Sequence, residues 1–217
     1  MTKFDINVAN NIDKQLSYQD VISIIFLLFS EEKIKVARQL CKRGEEIEKN
    51  VVLRLKDESL AIMNYLYQCS QKFDLNKWSS NIFEALFQIG QKKVLVIDLG
   101  VNMEKEEKKL EDARNIDKRR LMLYNFAEYL VSSEQDELMK KLQEQHPHLQ
   151  KAKMIETVFL QLLDETKDKD DICKMLAACI DDMENKDNLI KILKEKDCRS
   201  KTCPVHNPNK YKHFSVV

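Results

Sequence analysis

Apolar residues recur at three- and four-residue intervals along most of the chain, the spacing of helices with one dry stripe. The segment "FDINVANNIDKQL" carries Ile6, Ala9, Ile12 and Leu16 on such a stripe. The next segment, "SYQDVISIIFLLFSEE", opens with Ser17 three residues before Asp20, a hydroxyl and a carboxylate placed to cap a helix start reciprocally. At about 100° per residue, Val21, Ile24, Ile25, Leu28 and Phe29 share its broad face. Phe26 and Leu27 project about 120–140° from the centre of that face, beside Ser23. "KIKVARQLCKRG" predicts a third helix with a stop at Gly44. "DESLAIMNYLYQCSQ", "WSSNIFEALFQIG" and "QKKVLVIDLG" supply a fourth, fifth and sixth, the last two closed by Gly90 and Gly100.

From Val101 to Arg120 both signs of charge dominate, which predicts a solvated helical connector. A second set opens with "LMLYNFAEYL", where Leu123, Phe126 and Leu130 share a face. Ser132 or Ser133 can cap the following helix, and Pro147 lies after it. "KAKMIETVFLQLLDE", "DDICKMLAACIDDM" and "NKDNLIKILKEK" complete the set near Lys196. The two sets look like copies. An offset of 114 places Leu16 on Leu130 and Leu28 on Leu142, and an offset of 94 places Ile89, Leu95, Val96 and Leu99 on Met183, Leu189, Ile190 and Leu193. The first copy is longer by about twenty residues, which the charged connection after Gly44 accommodates. The expected architecture is all-α: two six-helix bundles in tandem over 1–103 and 121–196, a charged helical connector over 104–120, and a polar tail over 197–217.

An apolar pair opposite a dry face has two explanations: a helix buried on every side, or an exposed anchor for another protein. The first register sets Phe26 and Leu27 on Lys140 and Lys141, so the matching face of the second copy is charged. That comparison favours an exposed contact pair, with Ile22 and Ser23 in the same patch. Lys140, Lys141 and Asp187 mark the second copy's surface.

Composition agrees with a helical body, since 217 residues contain only three Gly and three Pro. Acidic and basic residues balance at 36 each, leaving no net field to draw nucleic acid or an anionic membrane. The longest apolar run, Val21 to Phe29, is too short to cross a bilayer. No basic stretch leads into an apolar one at the N-terminus, and six scattered cysteines suit reduced thiols, so the expected location is cytoplasmic. None of those cysteines sits in the Gln-Ala-Cys-x-Gly context of a caspase nucleophile, and no Gly-rich loop could cradle a phosphate. The carboxylate pairs Asp170 with Asp171 and Asp181 with Asp182 read as exposed helix ends. The chain is expected to be no enzyme and to need no cofactor. In the tail, Cys198, Cys203, His206 and His213 have the atom types of a tetrahedral zinc site, but their loose spacing suits a flexible polar end better, and no metal is expected.

The residues "VISIIFLLF", "NIFEALFQIGQKKVLVIDLG" and "RRLMLYNFAEYLVSSEQDEL" resemble the tandem death effector domain proteins, in particular the N-terminal prodomain of initiator caspases of the caspase-eight, insect Dredd-like type. The resemblance covers Asp5 to Lys196. It implies a homotypic interaction module that assembles with a Fas-associated type of adaptor, with an initiator caspase and with itself, in oligomers or filaments that control caspase activation in apoptosis or innate immunity. A decoy that blocks caspase recruitment and the prodomain of a longer cysteine protease are the alternatives. In that family a Phe-Leu pair on the second helix inserts into a partner's groove, and here the matching pair is Phe26 and Leu27. The family's Arg-x-Asp-Leu motif near the sixth helix is replaced by Gln91, Lys92, Lys93 and Val94, and in the second copy by Asn185, Lys186, Asp187 and Asn188.

Overall fold

A computed structural model describes residues 7, 11–12, 15–28, 35, 37–39, 41, 75–112, 115–149, 152–166 and 169–194. Every regular element among them is an α-helix: α1 (Tyr18–Leu28), α2 (Leu75–Gln88), α3 (Lys92–Ile97), α4 (Met103–Glu111), α5 (Lys118–Tyr129), α6 (Ser132–Gln145), α7 (Ile155–Glu165), α8 (Lys169–Cys179) and α9 (Lys186–Lys194). The expected first and third helices are described only in part, at helical positions such as Ile12 and Gln15, and Lys35 and Cys41. The expected fourth helix and the polar tail, with Cys198, Cys203, His206 and His213, lie outside the described residues.

Local chemistry explains several of the helix limits. Asp20 N donates to Ser17 Oγ at 3.1 Å while Ser17 N donates to Asp20 Oδ2 at 2.8 Å, so the reciprocal cap of α1 forms. Helix α2 closes on Gly90, whose φ of 80° allows Gly90 N to reach Phe87 O at 3.0 Å and Gln91 N to reach Leu86 O at 2.9 Å. The start of α6 differs from expectation. Val131, not Ser132 or Ser133, occupies the cap position, and its N–H donates to Glu134 Oε2 at 2.9 Å. The carboxylate three residues on thus satisfies an orphan donor without a serine.

The charged connector is also shorter than its composition suggests. Helix α4 ends at Glu111, and α5 begins where the Asp117 carboxylate accepts from Arg119 N at 3.0 Å and Arg120 N at 3.1 Å. Lys118 to Arg120 therefore belong to α5, and Arg120 is buried. Helix α4 lies along α2, where Gln88 Nε2 donates to Leu110 O at 3.1 Å. Glu84 on α2 then holds the chain after α4, accepting from Asn115 N at 2.8 Å and Asn115 Nδ2 at 2.6 Å.

In the C-terminal half, from residue 115 onward, α5 packs against α7 and α9, α6 against α7 and α8, and α8 against α9. In the N-terminal half α2 packs against α1, α3 and α4. The halves are joined through α1, which touches α2 on one side and α5 and α7 on the other. Buried apolar residues from Ile12 to Leu193 consequently form one contiguous core.

Candidate functional site

The structure corrects the reading of Phe26 and Leu27 as an exposed pair. Every residue from Val21 to Leu27 is buried, Phe26 at 0% and Leu27 at 2% exposure, together with Ile22 and Ser23. Helical phase separated the pair from the broad apolar face of α1, and Phe26 packs against residues of α5 and α7. Of the two explanations for an apolar pair opposite a dry face, burial on every side holds, and the comparison with Lys140 and Lys141 that favoured exposure misled. The Phe26 ring sits 6.3 Å from the Phe159 ring of α7, tilted by 50°, and Phe159 in turn lies 6.3 Å from Phe126 of α5. Such tilted pairs favour the edge-to-face attraction of aromatic quadrupoles and add about 0.5–1.5 kcal/mol beyond the area they bury.

Polar groups line the same seam. Arg120 of α5 donates from Nη1 to the Phe26 carbonyl at 2.6 Å, its guanidinium 5.8 Å from the centre of the Phe26 ring. The cation lies in the last described turn of α1, where the helix dipole favours positive charge and where α1 has no basic residue of its own. Ser23 Oγ donates to Glu156 Oε1 on α7 at 2.8 Å. Nearer the surface, Arg38 Nη1 meets Asp164 Oδ2 at 2.6 Å, a third polar tie between the halves.

Of the three buried charged residues among those described, Glu84, Arg120 and Glu156, the last two are incompletely satisfied. Arg120 Nε and Nη2 and Glu156 Oε2 have no hydrogen-bond partner among the described residues. Burial lowers the Arg120 pKa to about 10, against which nearby Asp117 raises it, so the side chain still carries its charge at neutral pH. Burial likewise pushes the Glu156 carboxyl upward, opposed by hydrogen bonds from its own backbone and from Ser23. Sequence reasoning passed over both residues. The signal available was a charged residue at the edge of each apolar run, Arg120 before "LMLYNF" and Glu156 within "IETVFLQLL".

Of the other expected surface residues, Lys140 is exposed and lies 3.9 Å from Glu144. Lys141 is half-buried, bonded to Asp182 and, at 2.9 Å, to Glu137. The hydrogen bond to Asp182 is the main reason the Lys141 pKa rises, and the same bond lowers that of Asp182. Asp187 is exposed. At the exposed Lys140 position charge is tolerated and an apolar side chain is not required.

Large apolar side chains are exposed elsewhere. Among the described residues they are Val96 at 47%, Ile97 at 65% and Val131 at 59%. Val96 and Ile97 stand on α3 with exposed Lys92 and Lys93. Lys92 is engaged locally, 2.7 Å from Glu107 and 5.0 Å above the Phe87 ring.

Among the described residues no helix is long and apolar enough to cross a membrane, and no group of three or more His, Cys, Asp or Glu is placed to hold a metal ion.

Among the described residues every element is an α-helix, consistent with the all-α death-fold class to which the family match assigns the chain. More narrowly, residues 2–112 match the family described as caspase-8, N-terminal domain, and the chain belongs to that family. Membership makes it a death-domain-like interaction module of the Dredd-type prodomain. No curated protein and no solved structure matches the chain.

Proposed function

We propose that the chain is a non-catalytic homotypic assembly module, two death effector domains over 1–103 and 121–196, that joins initiator caspases and their Fas-associated type of adaptor and so sets caspase activation in apoptosis or innate immunity. The match of residues 2–112 to a caspase prodomain family carries this reading. Proteins of this class act by packing against similar bundles, and surface charge then governs orientation and partner choice. The burial of Phe26 and Leu27 adds a constraint. The pair that the resemblance assigns to a partner's groove is occupied by this chain's own α5 and α7, so partners are engaged through other surfaces unless the halves separate.

Co-sedimentation of the purified chain with a full-length initiator caspase and with a death effector adaptor tests the proposal, with caspase self-processing followed in the same mixture. The expected result is co-assembly and an altered rate of self-processing. A chain that remains in the supernatant with both partners and leaves processing unchanged contradicts it. The direction of the rate change separates a recruiting module from a decoy.

A further inference from the structure

We infer that the chain assembles with copies of itself through a contact that pairs the outer face of α3 on one copy with the corner between α5 and α6 on the next. The inference deepens the assembly reading above by naming the surfaces and the partner. Helix α3 directs Val94 and Leu95 into the core. Its other residues, Lys92, Val96, Lys93 and Ile97, span an arc of about 140° in that order, all of them exposed.

The fold itself does not call for this composition. At the offset of 94, Val96 falls on Ile190 and Ile97 on Lys191, and there Ile190 is partly buried while Lys191 is exposed. The second copy therefore presents a lysine where the first presents a β-branched apolar side chain at 65% exposure. This is the comparison that misled at Phe26, now joined to an observed exposure. Lys93 makes no ion pair among the described residues, so its charge faces outward.

A complementary corner exists on the same chain. Val131 is 59% exposed between α5 and α6. Asn185 Nδ2 donates to Glu134 Oε1 at 3.2 Å and Asn188 Nδ2 to Tyr129 Oη at 2.9 Å, and these bonds hold the start of α9, with exposed Asp187, against that corner. Exposed Asp136 lies little more than a turn along α6. Neither Asp136 nor Asp187 makes an ion pair among the described residues.

The wider charge distribution favours the same pairing. Residues 121–196 carry 16 carboxylates against 11 cationic side chains, whereas residues 1–103 carry 13 against 14. An apolar centre rimmed by lysine thus faces an apolar centre rimmed by aspartate, the arrangement that fixes register between partners. The two surfaces are different, so the contact is heterologous; it extends as an open chain of copies unless its rotation happens to close.

Sedimentation velocity of the full chain over a concentration series tests the inference, alone and with the variants Lys93→Glu and Asp187→Lys. The unaltered chain should form oligomers that lengthen with concentration and shorten with added salt. Each variant should weaken self-association about tenfold, which corresponds to about 1.4 kcal/mol. A mixture of the two variants should associate again, because the reversed charges then meet. Both side chains are exposed, so helical content and melting temperature should stay unchanged. A chain that is monomeric throughout, variants that associate like the parent, or a mixture that fails to recover would each overturn the contact. Co-sedimentation of Lys93→Glu with an initiator caspase separates the two proposals: if it persists when self-association is lost, the assembly function stands on other surfaces.

Discussion

Replacing Phe26 by alanine should lower the stability of the whole chain by about 3–5 kcal/mol, the range for truncating a fully buried phenylalanine. For a protein of this size that corresponds to a fall in melting temperature of roughly 10 °C. Three losses contribute. The ring no longer fills the space between α1 and α7, its tilted contact with Phe159 disappears, and the guanidinium of Arg120 loses the aromatic face near it. Alanine is a cleaner probe than aspartate, because a carboxylate at this position would lie beside Arg120 and could offset part of the damage. Thermal unfolding followed by circular dichroism gives the answer. An exposed Phe26 would be truncated at almost no cost, since surface substitutions usually stay within about 0.5 kcal/mol.

A substitution in the opposite direction is expected at Glu156. Its carboxyl is buried, Oε2 is unpartnered, and burial holds its pKa above the ordinary value of 4.5. A carboxyl with a raised folded pKa binds its proton more tightly in the native chain than in the unfolded one, so protonation favours folding. The contribution is present in full below pH 4.5 and is lost as the pH rises from there through the raised value. Glu156→Gln removes the charge while retaining an oxygen that can accept from Ser23 Oγ. We expect a gain of about 1–3 kcal/mol at pH 7.5, because the amide carries no charge to desolvate, although its nitrogen takes the unpartnered place of Oε2. The gain should shrink at pH 4.5, so that the variant has the flatter stability profile. Urea unfolding midpoints at the two pH values measure both effects. An equal gain at both values, or a loss at pH 7.5, would mean that Glu156 ionises in the fold without penalty.

Much of this architecture was legible in the sequence because helix formation is local. The Ser17–Asp20 cap, the stop at Gly90 and the apolar stripes of α2, α7 and α9 each depend on residues within a few positions of one another. The seam depends on residues 94 and 133 positions apart, Phe26 with Arg120 and Ser23 with Glu156, and no periodicity encodes such a pairing. Helical phase isolated Phe26 and Leu27 as a second apolar face. It could not reveal that another part of the same chain covers them. The internal comparison with Lys140 and Lys141 pointed to water for a related reason. Equivalent positions in repeated units have equivalent local structure but different neighbours, and burial is decided by the neighbours. The same logic kept Val96 and Ile97 hidden, since both belong to an apolar run that reads as core until the exposure of each side chain is known.

The central claim is that Phe26 packs against Phe159 and so joins the two halves into one core. A double-mutant cycle with Phe26→Leu and Phe159→Leu, read by urea unfolding at neutral pH, tests it most directly, because leucine retains apolar volume while removing the ring contact. The account predicts that the double variant loses about 1 kcal/mol less than the two single losses combined, the coupling of an aromatic pair in contact. Losses that add within about 0.3 kcal/mol would show that the two rings do not meet, and would contradict it.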